Sequence, residues 1–384
     1  MTAELWRIDP HGLPAPLRQV FSKELHLWVG GWLRDRAFKA LLPRIEGERH
    51  LLFCVCDHFE PLHGHAPADV ARARVGAWRK GLPELVRSFR DSSGRQPRHT
   101  FFFPGEEYDP ALVEPLAELV QAGLAEVEVH LHHDGDTRAS LRERLIDTVS
   151  VLDAHGLVPR LAGHPAWSFV HGNWSLANGR RDGRWCGVDD ELSLLHEVGC
   201  YADFTFPSAP DPCQPSVVNS IYFARDASTR RAYGRAEPVR VGSPARRSVL
   251  LVQGPLAITR RGTSRALRIE AAALSSSDPP TASRLAAWLD QWVHVRGRPE
   301  WTFVKLHAHG APEKNARTML GERMAALHEA LSRLGSDGTW RVHYATAREM
   351  YNVARAAMDG KRGSPQAYFD YVVPPPERAR RGLS

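Results

Sequence analysis

The chain has 384 residues, 43% hydrophobic and 24% charged, a balance that excludes a disordered chain and suits one large domain or two ordinary ones. Its formal charge is +6, from 50 Lys and Arg against 44 Asp and Glu; the cations are dispersed apart from "RARR" at 378–381, and with no recognition motif beside them no nucleic-acid partner is expected. No run reaches the ~18 apolar residues of a membrane span and no secretory signal opens the chain, so the expectation is a cytoplasmic protein without a transmembrane segment. The five cysteines, Cys54, Cys56, Cys186, Cys200 and Cys213, are odd in number and irregular in spacing, which argues against both a disulfide framework and a structural zinc motif.

In chain order, residues 1–48 read as an N-terminal extension, with "LHLWVGGWL" docked on the main body. "HLLFCVC" follows as a strand buried on both faces, ending in Asp57, His58 and Glu60 before Pro61 stops regular pairing. A helical stretch over 68–89 leads to the strand "HTFFFP" and a polar loop with Glu106 and Glu107. Asp109 and Pro110 then supply an N-cap and first helical residue, and Gly123 a helix end. "EVEVHLHH" is the next strand, followed by a helix over 137–156, the strand "AWSFVHGNW", a short helix over 190–199 and the strand "YADFTFPS". Residues 255–280 show no helical pattern and read as an inserted hairpin. A helix over 281–295 precedes the strand "WTFVKLHAHG", and an amphipathic helix follows, with Met324, Leu327, Leu331 and Leu334 near one face. The last strand, "WRVHYAT", runs into a helix whose Thr346 and Glu349 have the spacing of a capping box, and residues 360–384 form a tail whose final "VVPPPERARRGLS" is expected to be extended or loose. About seven strand–helix units with polar groups at the strand ends predict an α/β fold, a distorted (β/α)7-type barrel over 49–359 with an N-terminal extension and a middle insertion; an open doubly wound sheet is the alternative.

The polar clusters suggest chemistry. Side chains alternate faces along a strand, so His130 and His132 point the same way, and Asp134 continues that face if the strand persists. Two imidazoles and a carboxylate suit Zn²⁺ or another borderline divalent metal. Asp57 and His58 leave the first strand together, so one can bind metal while the other moves a proton. His307 and His309 repeat the alternate spacing on a late strand. His171, Asn173 and Trp174 leave a further strand, and an indole beside polar groups suits a sugar ring. Glu60, Glu107, Asp190 and Asp203 are further candidates for contact with substrate, Asp190 also for helix capping. Phosphate-binding glycine loops, a G-x-S-x-G elbow and the HExxH motif are absent.

With these motifs in order, residues 50–350 resemble the glycoside hydrolase/deacetylase superfamily, in particular polysaccharide deacetylase-like proteins. The pair Asp57-His58 stands where that family ends a strand with a base and a metal ligand, "VKLH" matches its late histidine motif, and Asp203 in "YADFTF" matches its fourth motif. The family's second motif has two histidines separated by three residues; from His130 this spacing reaches Asp134, so either Asp134 or His132 completes the set. "FVHGNW" stands where the family carries an arginine-bearing motif. The resemblance implies a divalent ion, zinc or else manganese, cobalt or nickel, on His58, His130 and His132 or Asp134, with Asp57 as base and His307 as acid. It also implies hydrolysis of an acetyl group on a carbohydrate or small amide. A glycoside hydrolase, and a non-catalytic carbohydrate-binding protein on the same scaffold, are the rival readings.

Overall fold

The computed structural model describes residues 23–260 and 267–382. An N-terminal helix α1 (Leu25–Ala40) precedes β1 (Arg49–His58), α2 (Ala68–Val86), β2 (His99–Pro104), α3 (Pro110–Gln121), β3 (Ala125–Leu131) and α4 (Arg138–Ala154). A two-stranded ribbon of β4 (Arg160–Leu161) and β5 (His164–Pro165) leads to β6 (Trp167–His171), α5 (Glu191–Glu197) and β7 (Cys200–Asp203). The middle section holds β8 (Ile221–Ala224), β9 (Ala236–Pro238), β10 (Leu250–Val252), β11 (Ala257–Arg260), β12 (Leu267–Glu270) and β13 (Ala273–Leu274). The last part runs through α6 (Ala282–Asp290), β14 (Trp301–Ala308), α7 (Glu313–Met319), α8 (Glu322–Ser336), β15 (Trp340–Tyr344), α9 (Ala347–Met358) and α10 (Glu377–Arg381).

One large sheet carries the order β13-β14-β1-β2-β3-β6-β7-β10-β8-β9 and is parallel from β13 to β10. Its β10–β8 and β8–β9 pairings are antiparallel. β1 is the hub. β14 pairs along one edge, and the other edge is divided between β15, opposite Arg49–Phe53, and β2, opposite Cys56–His58. Both faces of β1 are therefore apolar. Leu51, Phe53 and Val55 pack with Val75, Trp78 and Leu82 of α2, whereas Leu52, Cys54 and Cys56 join Phe102, Val170, Phe204 and Phe303 on the concave side. All five cysteines are buried free thiols.

The result is an α/β fold with a mostly parallel central sheet, and no ladder joins the sheet's two ends among the described residues, so the expected barrel is not closed. One physical reason is visible in α9. Its Met350, Val353, Ala354 and Ala357 belong to the concave-side cluster, so a helix buried nearly all round fills space next to the strands' N-terminal ends. The expected capping box at its start forms: Thr346 accepts the Glu349 N–H, and Glu349 Oε2 accepts the Thr346 N–H at 2.9 Å. Asp109 likewise caps α3, with the Ala111 N–H donating to its Oδ1 at 2.8 Å. β11 and β12 form the expected inserted hairpin.

Of the N-terminal extension, residues 1–22 lie outside the described residues, and α1 docks as expected. Trp28 is buried with Val218 and Leu256, and Trp32 donates to Gln291 Oε1 at 3.0 Å. The tail differs from expectation, being packed: Phe369 and Val373 are buried, their carbonyls accept from Arg348 and Asn352, and the Arg378 N–H donates to Gly156 O. Its Pro-rich run conceals a small apolar anchor that composition does not show. No described helix is long and apolar enough to cross a membrane.

Candidate metal centre

Three strands deliver the site through their period of two. On β3, Glu126, Glu128 and His130 form one inward row, which His132 follows just past the strand; on β1, His58 follows Cys56 on the same face and Glu60 lies two residues past the strand; on β14, His307 follows Lys305 and His309 comes just past the strand. Because these strands are parallel neighbours or near neighbours, their C-terminal ends meet at one rim. The structure therefore brings His58, His130 and His307 together as expected, with ring centroids 5.2 Å apart for His58–His130 and 5.8 Å for His58–His307.

The centre of the cluster is Glu60. Its Oε1 lies 3.5 Å from His130 Nε2, 3.7 Å from His132 Nε2 and 3.7 Å from His309 Nε2, while its Oε2 is held by His63 Nδ1 at 2.8 Å. His58 and His309 stand 4.8 Å apart, ring centroid to centroid. Glu60 with His58 and His309, and Glu60 with His130 and His132, are sets that could hold a metal ion.

Hydrogen bonds on the far sides of the rings aim the donor atoms. His130 Nδ1 faces Val170 O at 2.8 Å, so in the neutral ring Nδ1–H donates there and the Nε2 lone pair faces Glu60. A lone pair against a carboxylate oxygen is repulsive unless a proton or a metal ion sits between them. Consistently, His130 Nε2 and His58 Nε2 are buried atoms without a hydrogen-bond partner. Glu106 holds His132 Nδ1 at 2.6 Å and leaves Nε2 toward Glu60, the arrangement that orients ligating imidazoles. Gly172 makes room: a Cβ there would lie 2.4 Å from His132 Cδ2.

The electrostatics follow from burial and crowding. Burial, then the charges of His309, His130 and His307, push His58 well below the usual imidazole range. Burial does the same to His307. For His132, Glu106 and the nearby Glu60 and Glu107 outweigh burial and raise it. Burial by itself would raise the Glu60 carboxyl, but the surrounding imidazoles hold it well below the carboxylate range. Burial pushes Glu107 up to about 7, and Glu60 and Glu106 add to this; the Leu62 N–H, donating to Glu107 Oε2 at 2.6 Å, opposes it.

Other expected residues lie elsewhere. Asp57 sits on the opposite face of β1 from His58. Its Oδ1 accepts the Gly310 N–H at 2.6 Å and its Oδ2 lies 3.0 Å from His99 Nε2, beneath Trp78. A Cβ at Gly310 would lie 2.1 Å from Asp57 Oδ2, so glycine lets the turn after His309 close on this carboxylate. Asp134 leaves the β3 face because the chain turns at Gly135; it is exposed and accepts the Trp185 N–H at 2.6 Å, so His132, not Asp134, stands beside Glu60. Asp190 is a surface partner of Arg138 and makes no side-chain cap for α5. Asp203 is buried and accepts from Thr205, whose hydroxyl also accepts the His171 N–H; burial pushes Asp203 up to about 7. Asn173 and Trp174 both adopt positive φ in a tight turn, which carries Trp174 to 6.4 Å from the His309 ring.

Glu60 and His309, expected as substrate contacts, thus belong to the donor cluster. The His58-x-Glu60 and His307-x-His309 spacings carry that signal, since each pair shares a strand face. His171 belongs to a separate buried group with His133, Cys186 and Glu191, which could also hold a metal ion. Fold and site together define an α/β protein with a histidine- and glutamate-lined centre at the carboxyl ends of its parallel strands. Comparison with models of known protein families finds no match, and comparison with curated proteins finds none either.

Proposed function

We propose that the chain is a metal-dependent hydrolase that removes an acyl group, acetyl first among candidates, from a carbohydrate or related amide or ester, on a scaffold derived from the deacetylase β/α barrel. The observation that carries this reading is the convergence of three imidazoles, of His130, His132 and His309, on Glu60 Oε1 with His58 beside them, His58 Nε2 and His130 Nε2 being buried and unpartnered. Imidazole nitrogen with carboxylate oxygen fits Zn²⁺, with Mn²⁺, Co²⁺ or Ni²⁺ as neighbours in preference. His58, Glu60, His130 and His132 would hold the ion, with His309 beside them. Bound there, a divalent cation supplies Lewis acidity that polarises an acyl carbonyl and acidifies water.

The protein's groups do the rest. Glu107, half-buried at the rim with a pKa of about 7, is placed to take up and return a proton near neutral pH. Asp57 acts as a positioning residue: its bonds to Gly310 N and His99 hold the turn that presents His309. His307 lines the floor beside His58 with Nδ1 unpartnered; burial disfavours its charged form, so the neutral ring would assist a departing amine or alkoxide by hydrogen bonding. Trp174 offers an apolar ring edge to a sugar face beside His309.

The test uses untagged protein stripped of ions and reloaded with zinc, and measures acetate released from N-acetylated amino sugars and O-acetylated oligosaccharides. Zinc-dependent release, lost in His130→Ala together with zinc content, is the expected result. Glycosidic cleavage without acetate would move the assignment to a glycoside hydrolase. Saturable sugar binding with neither reaction would move it to a binding protein.

A further inference from the structure

A second group of donors lies behind the first centre. His133 follows His132 and faces the other way; His171 ends β6, Cys186 lies in the loop after it and Glu191 opens α5. All four are buried, with donor atoms mutually within 4.8 Å. Glu191 Oε1 lies 3.3 Å from His133 Nε2 and 3.6 Å from His171 Nε2, and Cys186 Sγ lies 3.3 Å from Glu191 Oε2. His171, Cys186 and Glu191 are held from outside by backbone groups. His171 Nδ1 is engaged by Gly172 O, so Nε2 carries the lone pair; it faces Glu191 and has no hydrogen-bond partner. Asp136 lies 3.2 Å from His133 Nδ1, a buried nitrogen without a hydrogen-bond partner, and is itself bound by Arg144 and Ser140. The Asn178 and Val188 N–H groups donate to Cys186 Sγ at 3.2 and 3.4 Å, and the Ala177 N–H donates to Glu191 Oε2 at 2.6 Å. N–H groups turned on a sulfur stabilise thiolate, the form that ligates metal.

We propose that His133, His171, Cys186 and Glu191 form a second divalent-cation site, closed and structural, which binds zinc and fixes the loop between β6 and α5. Two nitrogens, one sulfur and one carboxylate oxygen complete a four-coordinate zinc set with no open position. Thiolate and carboxylate together balance the 2+ charge; as the Sγ–metal bond forms, the thiol proton leaves to solvent. The loop so fixed is backbone-strained, with positive φ at Asn173, Trp174, Ala177, Asn178 and Trp185, and it carries Trp174 to the first centre. The irregular cysteine spacing hid this site, because its ligands come from separate elements brought together by the β3–β6 pairing.

The test counts zinc in the full-length, untagged protein after loosely held ions are removed, and records the spectrum of its cobalt-substituted form. The wild type should hold two zinc ions per chain, His130→Ala one, and Cys186→Ser no more than one. A thiolate-to-cobalt charge-transfer band should appear in the wild type and in His130→Ala, and vanish in Cys186→Ser. Should Cys186→Ser fail to fold, the His130→Ala protein decides, by its cobalt band and by sulfur scattering in zinc X-ray absorption. One zinc per chain, lost in His130→Ala, with no thiolate band in the wild type would overturn the proposal. One zinc retained in His130→Ala with the thiolate band would support it even if the first centre proved metal-free.

Discussion

Along β3 a single inward row of side chains solves the burial of charge in two opposite ways. At the lower end Glu126 is saturated: Arg348 reaches it through Nε and Nη2, at 3.1 and 2.9 Å, and the Thr346 hydroxyl donates at 2.7 Å. Beside it Glu349 is bound by Arg95 and Arg98; burial alone would raise its carboxyl, but the two guanidinium groups outweigh this and hold it at about 2. At the upper end of the row His130 faces Glu60 with an Nε2 that has no hydrogen-bond partner, and His58 Nε2 nearby is likewise unpartnered. Glu128, between them, is satisfied by Tyr201 OH and Ser168 N–H, yet burial pushes it up to about 7. The lower network closes on itself and serves the fold. The upper one leaves buried nitrogens unpartnered and offers donor sets that could hold a metal ion.

The largest contrast should come from His58→Ala. Zinc at ~1,000 times its Kd stabilises a protein by about 4 kcal/mol per site. This variant should lose one such increment in zinc-dependent melting and lose acetate release, while its secondary structure by circular dichroism stays intact. Unchanged zinc stabilisation would remove His58 from the centre. At the other end, Arg348→Met leaves Glu126 and Glu349 short of a buried cation and should cost about 3–5 kcal/mol by urea unfolding. Its zinc content per folded chain should match the wild type; a loss of zinc would mean that the two ends are coupled.

Asp57→Asn separates two roles at a smaller scale. If the carboxylate only positions the 309–310 turn, activity falls about tenfold, or 1.4 kcal/mol, and Asp57→Glu shifts zinc affinity as well. A base would instead lose 10²- to 10⁴-fold, with zinc affinity unchanged, and that outcome would restore Asp57 to the chemistry. The smallest effect is expected from Thr346→Ala. It removes the cap of α9 and one donor to Glu126, for about 1–2 kcal/mol in chemical denaturation; activity per folded molecule should not change.

Much of this was legible in the chain. The apolar run ending in Asp57-His58 marked β1, the Thr346/Glu349 spacing marked the start of α9, and period-two alternation placed His130 with His132 and His307 with His309 on shared faces. Those are local properties, set by backbone geometry and by which faces must be dry. Which face met which partner was not local. Asp57 and His58 are adjacent, yet one binds Gly310 and His99 on the helix side and the other joins the donors, since neighbouring strand residues point apart. The sequence by itself determined an α/β chain with histidines at its strand ends. Only the tertiary structure decided that Glu60 stands at their centre, that Asp134 turns away with Gly135, and that Cys186 and Glu191 meet His133 and His171, because strand pairing between distant segments brings those side chains within reach.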